Sequence, residues 1–424
     1  MTNVQEKIEA ANQLVCKRMI EAQPILIDVR KSLDVVPGML PNMILHSGPP
    51  ITWDRMGQPQ KNGILGAILF EGLVRDLKEV EDAIRSGEIL LASCHEHSTV
   101  GSMAGVTSAS MQVFVVKNQV QNNISFHQIF EPGENMFTFG ICNKKVLEDY
   151  HWMNGPWAQA MAAGVRASGG INLRNIIARA LTMGDECHNR CGAGTYQFTL
   201  ELIHAMTEAG VDNKMLRLFA RTGMEHPISF LFLNMAAAKN IADAGHGINY
   251  STVVTAMCRN GVDFGIRVSG LGDRWFTAPA PEIEGLYFSS QWGKADASPD
   301  MGDSSITETI GLGAFVMSNA PALLQTVGST LEDARGYTKE MYEITVTKNP
   351  NFLLPVWGFQ GAPLGIDIRK VVQTNLTPII DTGIAAKKGG FIGIGLCRAP
   401  MEAFQKALSA FGEQYLGNAD SQKG

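Results

Sequence analysis

The sequence predicts a mixed α/β (α+β) fold in which two α/β segments flank a small helical domain. Strand and helix signals alternate over the first 150 residues. Apolar stripes at helical spacing dominate residues 151–245. Period-two and glycine-rich strand signals return over 246–424. Such alternation of the two periodicities marks layered α/β architecture. The expected units are an N-terminal α/β domain at 1–150, a helical domain at 151–245, and a C-terminal α/β domain at 246–424 carrying an Arg/Gly-rich cluster. A chain of 424 residues suits two or three domains.

The elements follow in order. Ile8, Ala11, Val15 and Met19 recur along one helical face, and Pro24–Arg30 reads as a strand. Met43–Pro50 reads as a strand running into a turn, because Pro49 and Pro50 cannot continue a ladder. Leu65, Leu69, Leu73, Leu77, Val80 and Ile84 form an apolar stripe predicting one helix, stopped by Gly87. Ile89–His95 and Met111–Lys117 are further strands. Helical stripes follow at Leu173–Leu181, with Asn172 as N-cap, at Phe198–Met206 and at Met215–Phe219. Residues 228–244 are apolar on most sides, as in a buried helix. Asp263–Ser269 alternates as a strand; Trp275–Pro279 and Gly285–Phe288 are shorter candidates. Ser305–Asn319 and Met401–Leu416 read as helices, and Phe391–Cys397 as a strand unusually rich in glycine. Gln360-Gly-Ala-Pro and Asp381-Thr-Gly read as tight turns.

Composition narrows the function classes. With 35 basic and 41 acidic residues the net charge is −6, which offers no electrostatic footprint for nucleic acid and no polybasic membrane patch. No apolar run approaches the ~20 residues needed to span a bilayer. The polar N-terminus does not read as a secretory signal. Seven scattered cysteines without a Cys-x-x-Cys pair suggest a reduced, cytoplasmic protein. Glycine is abundant at 44 residues and falls in short clusters beside polar residues, which suggests backbone folded closely around something small.

Three clusters offer chemistry. The first runs from Cys94 to Ser110. His95 and His97, two apart at a predicted strand end, would face one side, and Gly101, Ser102, Thr107 and Ser108 lie in a loop able to aim N–H and O–H groups at an anion. The loop lacks the Gly-Lys-Ser/Thr of a phosphate-binding P-loop. A small-anion site, a metal site built on His-x-His and a solvated glycine-rich turn all remain open. The second cluster gathers Arg259, Arg267 and Arg274 among glycines; an arginine fork suits carboxylate or phosphate, with Arg259 and Arg274 the better candidates. Asp263 and Asp273 are possible structural partners. The third places Asp303, Ser304 and Ser305 at a helix start, where unpaired N–H groups favour an anion. Ser305-Ile-Thr-Glu308 also fits a capping box, which leaves Asp303 the least explained. Asp185–Arg190 packs acid, thiol and imidazole together but lacks His-Glu-x-x-His spacing and reads as a polar helix end. His46 is a weaker candidate at a strand end.

Together these motifs resemble the YlbE-like family. The resemblance rests on His46-Ser-Gly-Pro-Pro, Gly105-Val-Thr-Ser-Ala-Ser-Met, Gly184-Asp-Glu, Arg259-Asn-Gly, Phe264-Gly-Ile-Arg-Val-Ser-Gly-Leu-Gly, Arg274-Trp-Phe-Thr-Ala-Pro, Pro299-Asp-Met-Gly-Asp-Ser, Thr382-Gly-Ile-Ala and Arg398-Ala-Pro, in order across Leu45–Pro400. The resemblance implies a subunit of oxamate carbamoyltransferase from anaerobic allantoin and purine nitrogen use, with FdrA-like partner subunits. That enzyme interconverts oxalurate plus phosphate with oxamate plus carbamoyl phosphate.

Such chemistry needs anion clamps, a donor to the carbonyl oxygen and a route for one proton. The residues suggest Arg259 and Arg274 as clamps, His95 for the proton, Asp303 for orientation, and His97, Gly101, Ser102, Thr107, Ser108, Ser304 and Ser305 for binding. Expected ligands are phosphate, carbamoyl phosphate and an oxamate-like amide, in an oligomer, with no metal or other cofactor. Two rival readings stand beside this one. One is a non-catalytic binding and assembly subunit. The other is a metal-dependent amidohydrolase using His95, His97 and a carboxylate.

Overall fold

The computed structural model describes residues 2–130 and 135–417. The mixed α/β class holds: helices pack against five small sheets, and the largest buried apolar cluster runs from Ile8 to Phe411. Ile8, Ala11, Val15 and Met19 are the buried face of the helix Thr2–Glu21. Asn12 on that face accepts from the backbone N–H of Thr252 at 2.8 Å and tethers the first helix to the segment that follows residue 245. Helix Phe230–Ala244 is buried along nearly its whole length and packs on strands from both flanking segments, as its apolar surface requires. Asn172 caps helix Leu173–Thr182 through the N–H of Asn175.

Three sheets position the chemistry. Strand Met43–His46 runs parallel to Leu90–Ser93 and antiparallel to Val106–Ser108. Parallel pairing brings the turns after His46 and Ser93 out at one end, where ligands gather in α/β sheets. A four-stranded sheet orders Phe276–Pro279, Asp263–Val268, Val254–Asn260 and Met301–Gly302, and sets Arg259 opposite Gly302. A third sheet joins Glu284–Tyr287, Phe391–Arg398 and Ile379–Ala385. The glycine excess of Phe391–Arg398 has a steric cause: a Cβ at Gly393 or Gly395 would run into the backbone of Glu284–Tyr287.

The structure corrects several local expectations. The stripe from Leu65 to Ile84 is two helices, because Gly72 takes a left-handed conformation (φ +67°) and ends Gln58–Glu71. Asp76 then caps a new turn that leads into Val80–Ser86, and Gly87 (φ +80°) stops that helix as expected. Ser305–Asn319 divides into Ile306–Thr309 and a 3₁₀ segment Gly313–Asn319, because Gly311 and Gly313 both take positive φ. Gln360-Gly-Ala-Pro and Asp381-Thr-Gly are not turns; they lie inside the strands Gln360–Ile366 and Ile379–Ala385. Among the described residues no helix is long and apolar enough to cross a membrane. All seven cysteines are unpaired.

Candidate functional site

Asp303 joins two of the predicted clusters. Its Oδ1 accepts the backbone N–H of Gly48 at 2.6 Å, and its Oδ2 accepts that of Gly101 at 2.8 Å. Its own N–H donates to the Gly101 carbonyl at 2.8 Å. The glycine-rich loop does meet an anion, but that anion is the protein's own carboxylate. His95 lies beside it, with Nε2 3.6 Å from Asp303 Oδ1 and the ring edge-on to Trp275. His95, Cys258 and Asp303 offer ligand atoms within 4.8 Å of one another. Burial drives the His95 imidazole well below its ordinary value, helped by the charges of Lys239 and Arg267. Burial also pushes the Asp303 carboxyl up to about 7, against the pull of the two backbone donors.

Arg259 stands behind Ser304, wholly buried. Its guanidinium grips Asp300 through two bonds, Nε at 2.6 Å and Nη2 at 2.8 Å. Its other donors reach the Gly302 carbonyl, Ser304 Oγ and Thr382 Oγ1 at 2.9–3.3 Å. All five N–H groups of the fork thus have acceptors inside the protein. Asp300 outweighs the effect of burial and holds the guanidinium firmly charged. This corrects the expected role of Arg259 as an anion clamp: its charge is neutralised and no donor remains for a ligand.

A cavity of ≈ 160 Å³ lies on the other side of Ser304. Its apolar walls include Phe130, Leu231, Phe232 and Phe391, and its polar lining is Ser102, Asn189, His188 and Ser304, with Thr138 beside them. Among the described residues, Ser102 Oγ and Asn189 Nδ2 are buried without a hydrogen-bond partner. Unpaired polar atoms facing a cavity are the usual mark of a ligand position. Behind His188 lies a cluster that the sequence reading left as a polar helix end, a capping box and a turn. His188 Nδ1 is 2.8 Å from Glu308 Oε1 and 2.8 Å from Asp381 Oδ1. Glu186 stands close by and accepts the N–H groups of His188 and Arg190. Burial pushes the Asp381 carboxyl up to about 7, with the negative charge of Glu308 adding to the shift. Burial also opposes a charged His188, but Glu308 and Asp381 override it and hold the imidazole well above its ordinary value.

The remaining predicted residues divide. Gly101, Ser102, Ser304, His95, Arg259 and Asp303 converge on one region, though only Ser102 and Ser304 line the cavity. Arg274 does not join them; it is exposed, with its guanidinium over the ring of Phe276. Cys94–His97 is a 3₁₀ turn and not a strand end, so His97 swings away from His95 and pairs with the Pro37 carbonyl at 2.7 Å. The expected His-x-His pair is therefore not formed. Thr107 and Ser108 lie in the strand Val106–Ser108, and Ser108 Oγ donates to Glu71 at 2.6 Å. Ser305 Oγ donates to the Met257 carbonyl at 2.7 Å and makes no cap, so the capping box is absent and Glu308 is free to face His188. His46 is buried, with Nδ1 2.9 Å from the Ser47 carbonyl. Five acids, Glu186, Asp300, Asp303, Glu308 and Asp381, are buried in the same region as Arg259 and His188.

Residues 89–304 match the profile of the family described as oxamate carbamoyltransferase subunit AllG. The chain is 38% identical over 411 residues to the oxamate carbamoyltransferase subunit AllG of Escherichia coli K12, covering 96% of this chain and 98% of that protein. The chain belongs to the AllG family. The uncharacterized protein YahG of Escherichia coli K12 is 42% identical over 416 residues, covering 97% of this chain and 87% of YahG. A crystal structure of a conserved protein of unknown function from Enterococcus faecalis V583 superposes with a TM-score of 0.94. That protein is 42% identical, and the match covers 97% of this chain and 99% of the other. Ser102, His188, Asn189 and Ser304 all lie within the stretch that matches the AllG profile.

Proposed function

We propose that this chain is a subunit of a carbamoyltransferase that interconverts oxalurate plus phosphate with oxamate plus carbamoyl phosphate, in allantoin and purine nitrogen catabolism. The observation that carries this reading is the polar end of the cavity, built by residues inside the AllG-matching segment. At ≈ 160 Å³ the cavity is well below the ~300 Å³ at which pockets for drug-sized ligands begin, and it suits a ligand of a few heavy atoms. Ser102 Oγ and Asn189 Nδ2 offer donors to a carboxylate or amide oxygen, and Ser304 adds a hydroxyl whose oxygen accepts from Arg259 at 3.3 Å. His188 replaces His95 as the group that handles the proton, since His188 lines the cavity while His95 lies outside it beside Asp303.

Partner subunits of the FdrA-like kind belong to the same proposal. Tyr196 and Leu200, four residues apart on helix Gly192–Glu208, are 53% and 73% exposed and offer an apolar face to a neighbour. The test is phosphorolysis of oxalurate by the reconstituted complex. Ser102→Ala is expected to lower kcat/KM by about tenfold, the worth of one hydrogen bond to a charged group. Unchanged kcat/KM removes the cavity from the reaction.

A further inference from the structure

We propose that His188, Glu308 and Asp381 form a binding site for a divalent transition-metal ion of the manganese or zinc class, set against the cavity that His188 lines. The sequence reading expected no metal; the folded arrangement argues for one. One atom from each of these side chains lies within 4.8 Å of the others, and all three side chains are sealed from solvent. Two carboxylates and an imidazole are a donor set suited to manganese, iron or zinc.

Three further observations bear on a cation there. Among the described residues Asp381 Oδ2 has no hydrogen-bond partner although the carboxylate is wholly buried, and Oδ1 faces His188 Nδ1 at 2.8 Å, an atom that Glu308 faces at the same distance. Glu308 and Asp381 both face the one imidazole of His188, so two buried carboxylates share a single positive neighbour. Arg259, which reaches the neighbouring Thr382, is already matched by Asp300, and Glu186 adds a further acid beside the cluster. Finally, the ligand atoms are held in place by a second layer. Thr307 Oγ1 donates to Glu308 Oε2 at 2.8 Å, and the N–H of Ala314 donates to Glu308 Oε1 at 3.1 Å. Gly313 has no room for a side chain, since a Cβ would collide with Glu308 Oε1. Outer partners that orient ligand atoms are characteristic of metal centres.

The other His/Cys/Asp group, His95 with Cys258 and Asp303, is the weaker candidate. Both Asp303 oxygens are already taken by backbone N–H groups, and none of its members lines the cavity. An ion at His188 would replace the proton on Nδ1, so that with the ion bound His188 is a ligand and not the proton carrier, and the ion would serve as a Lewis acid for an oxygen of a small amide or phosphate in the adjoining cavity.

The site stands on its own geometry and does not depend on the reaction proposed above. The experiment uses the purified full-length chain, stripped with a chelator and titrated with Mn²⁺ and Zn²⁺. Calorimetry, the Mn²⁺ electron paramagnetic resonance spectrum and elemental analysis report binding without any substrate. We expect about one ion per chain, with affinity reduced by at least roughly tenfold in Asp381→Asn and in Glu308→Gln. Ser102→Ala and His95→Gln are expected to bind the ion as the wild type does. Failure of the folded wild-type chain to bind either ion stoichiometrically overturns the proposal. So does binding that survives both carboxylate variants, or that is lost in His95→Gln instead. Neither result bears on whether oxalurate is the substrate.

Discussion

Replacing Asp303 by asparagine separates the two things its carboxyl does. The carboxyl titrates at about 7 in the folded chain against an ordinary 3.8, because burial penalises its charge more than the two backbone donors favour it. As pH rises past 3.8 the unfolded chain loses this proton while the folded chain keeps it to about 7. Between those values the folded state binds more protons, so stability falls as pH rises and the contribution is lost above 7. From pH 5 to the folded value is about two units, or about 3 kcal/mol at ~1.4 kcal/mol per unit. Asparagine has no such slope. It also turns one oxygen into an amide that cannot accept from Gly48 or Gly101, a pH-independent cost of about 1–3 kcal/mol.

The expected pattern is therefore a variant less stable than the wild type at pH 5, with the difference moving in its favour by about 3 kcal/mol by pH 8. His95 contributes the opposite slope, since its depressed imidazole loses stability as pH falls below its ordinary value, but that term is present in both proteins. Urea unfolding at pH 5, 6, 7 and 8 measures the difference. A difference that stays flat across this range, or moves toward the wild type, refutes the assignment of Asp303 as a buried carboxyl held near 7.

Two further outcomes follow from the same geometry. Arg259→Met leaves Asp300 buried without its cation and is expected to destabilise by about 3–5 kcal/mol in chemical unfolding; adding Asp300→Asn should recover part of that loss. Arg274→Ala removes an exposed cation that rests on Phe276, so stability should change by less than about 1 kcal/mol and oxalurate phosphorolysis should be unaffected. A large loss of activity would return Arg274 to the site.

Local pattern determined a good deal of this protein. Helical stripes such as Ile8–Met19 and strands such as Asp263–Val268 are legible because burial imposes its periodicity on neighbouring residues. His95, Gly101 and Asp303 were legible only as separate candidates beside glycines and short polar side chains; that Asp303 fills the glycine-rich loop came from the fold. The charge state of Arg259 was not legible: a guanidinium reads as an available clamp until the fold sets Asp300 against it.

The His188–Glu308–Asp381 cluster was hidden for a related reason. Its members come from a loop, a four-residue helix and a strand, and His188 and Glu308 are 120 residues apart. The one signal available was the crowding of acid, thiol and imidazole in Asp185–Arg190, which by itself also fits a polar helix end. Periodicity and turn chemistry act between residues a few positions apart, so the sequence alone settled most helices and strands, though not the break at Gly72 or the strands at Gln360 and Asp381. Electrostatic partnership acts across space, and only the packing of distant strands decided which buried charges meet.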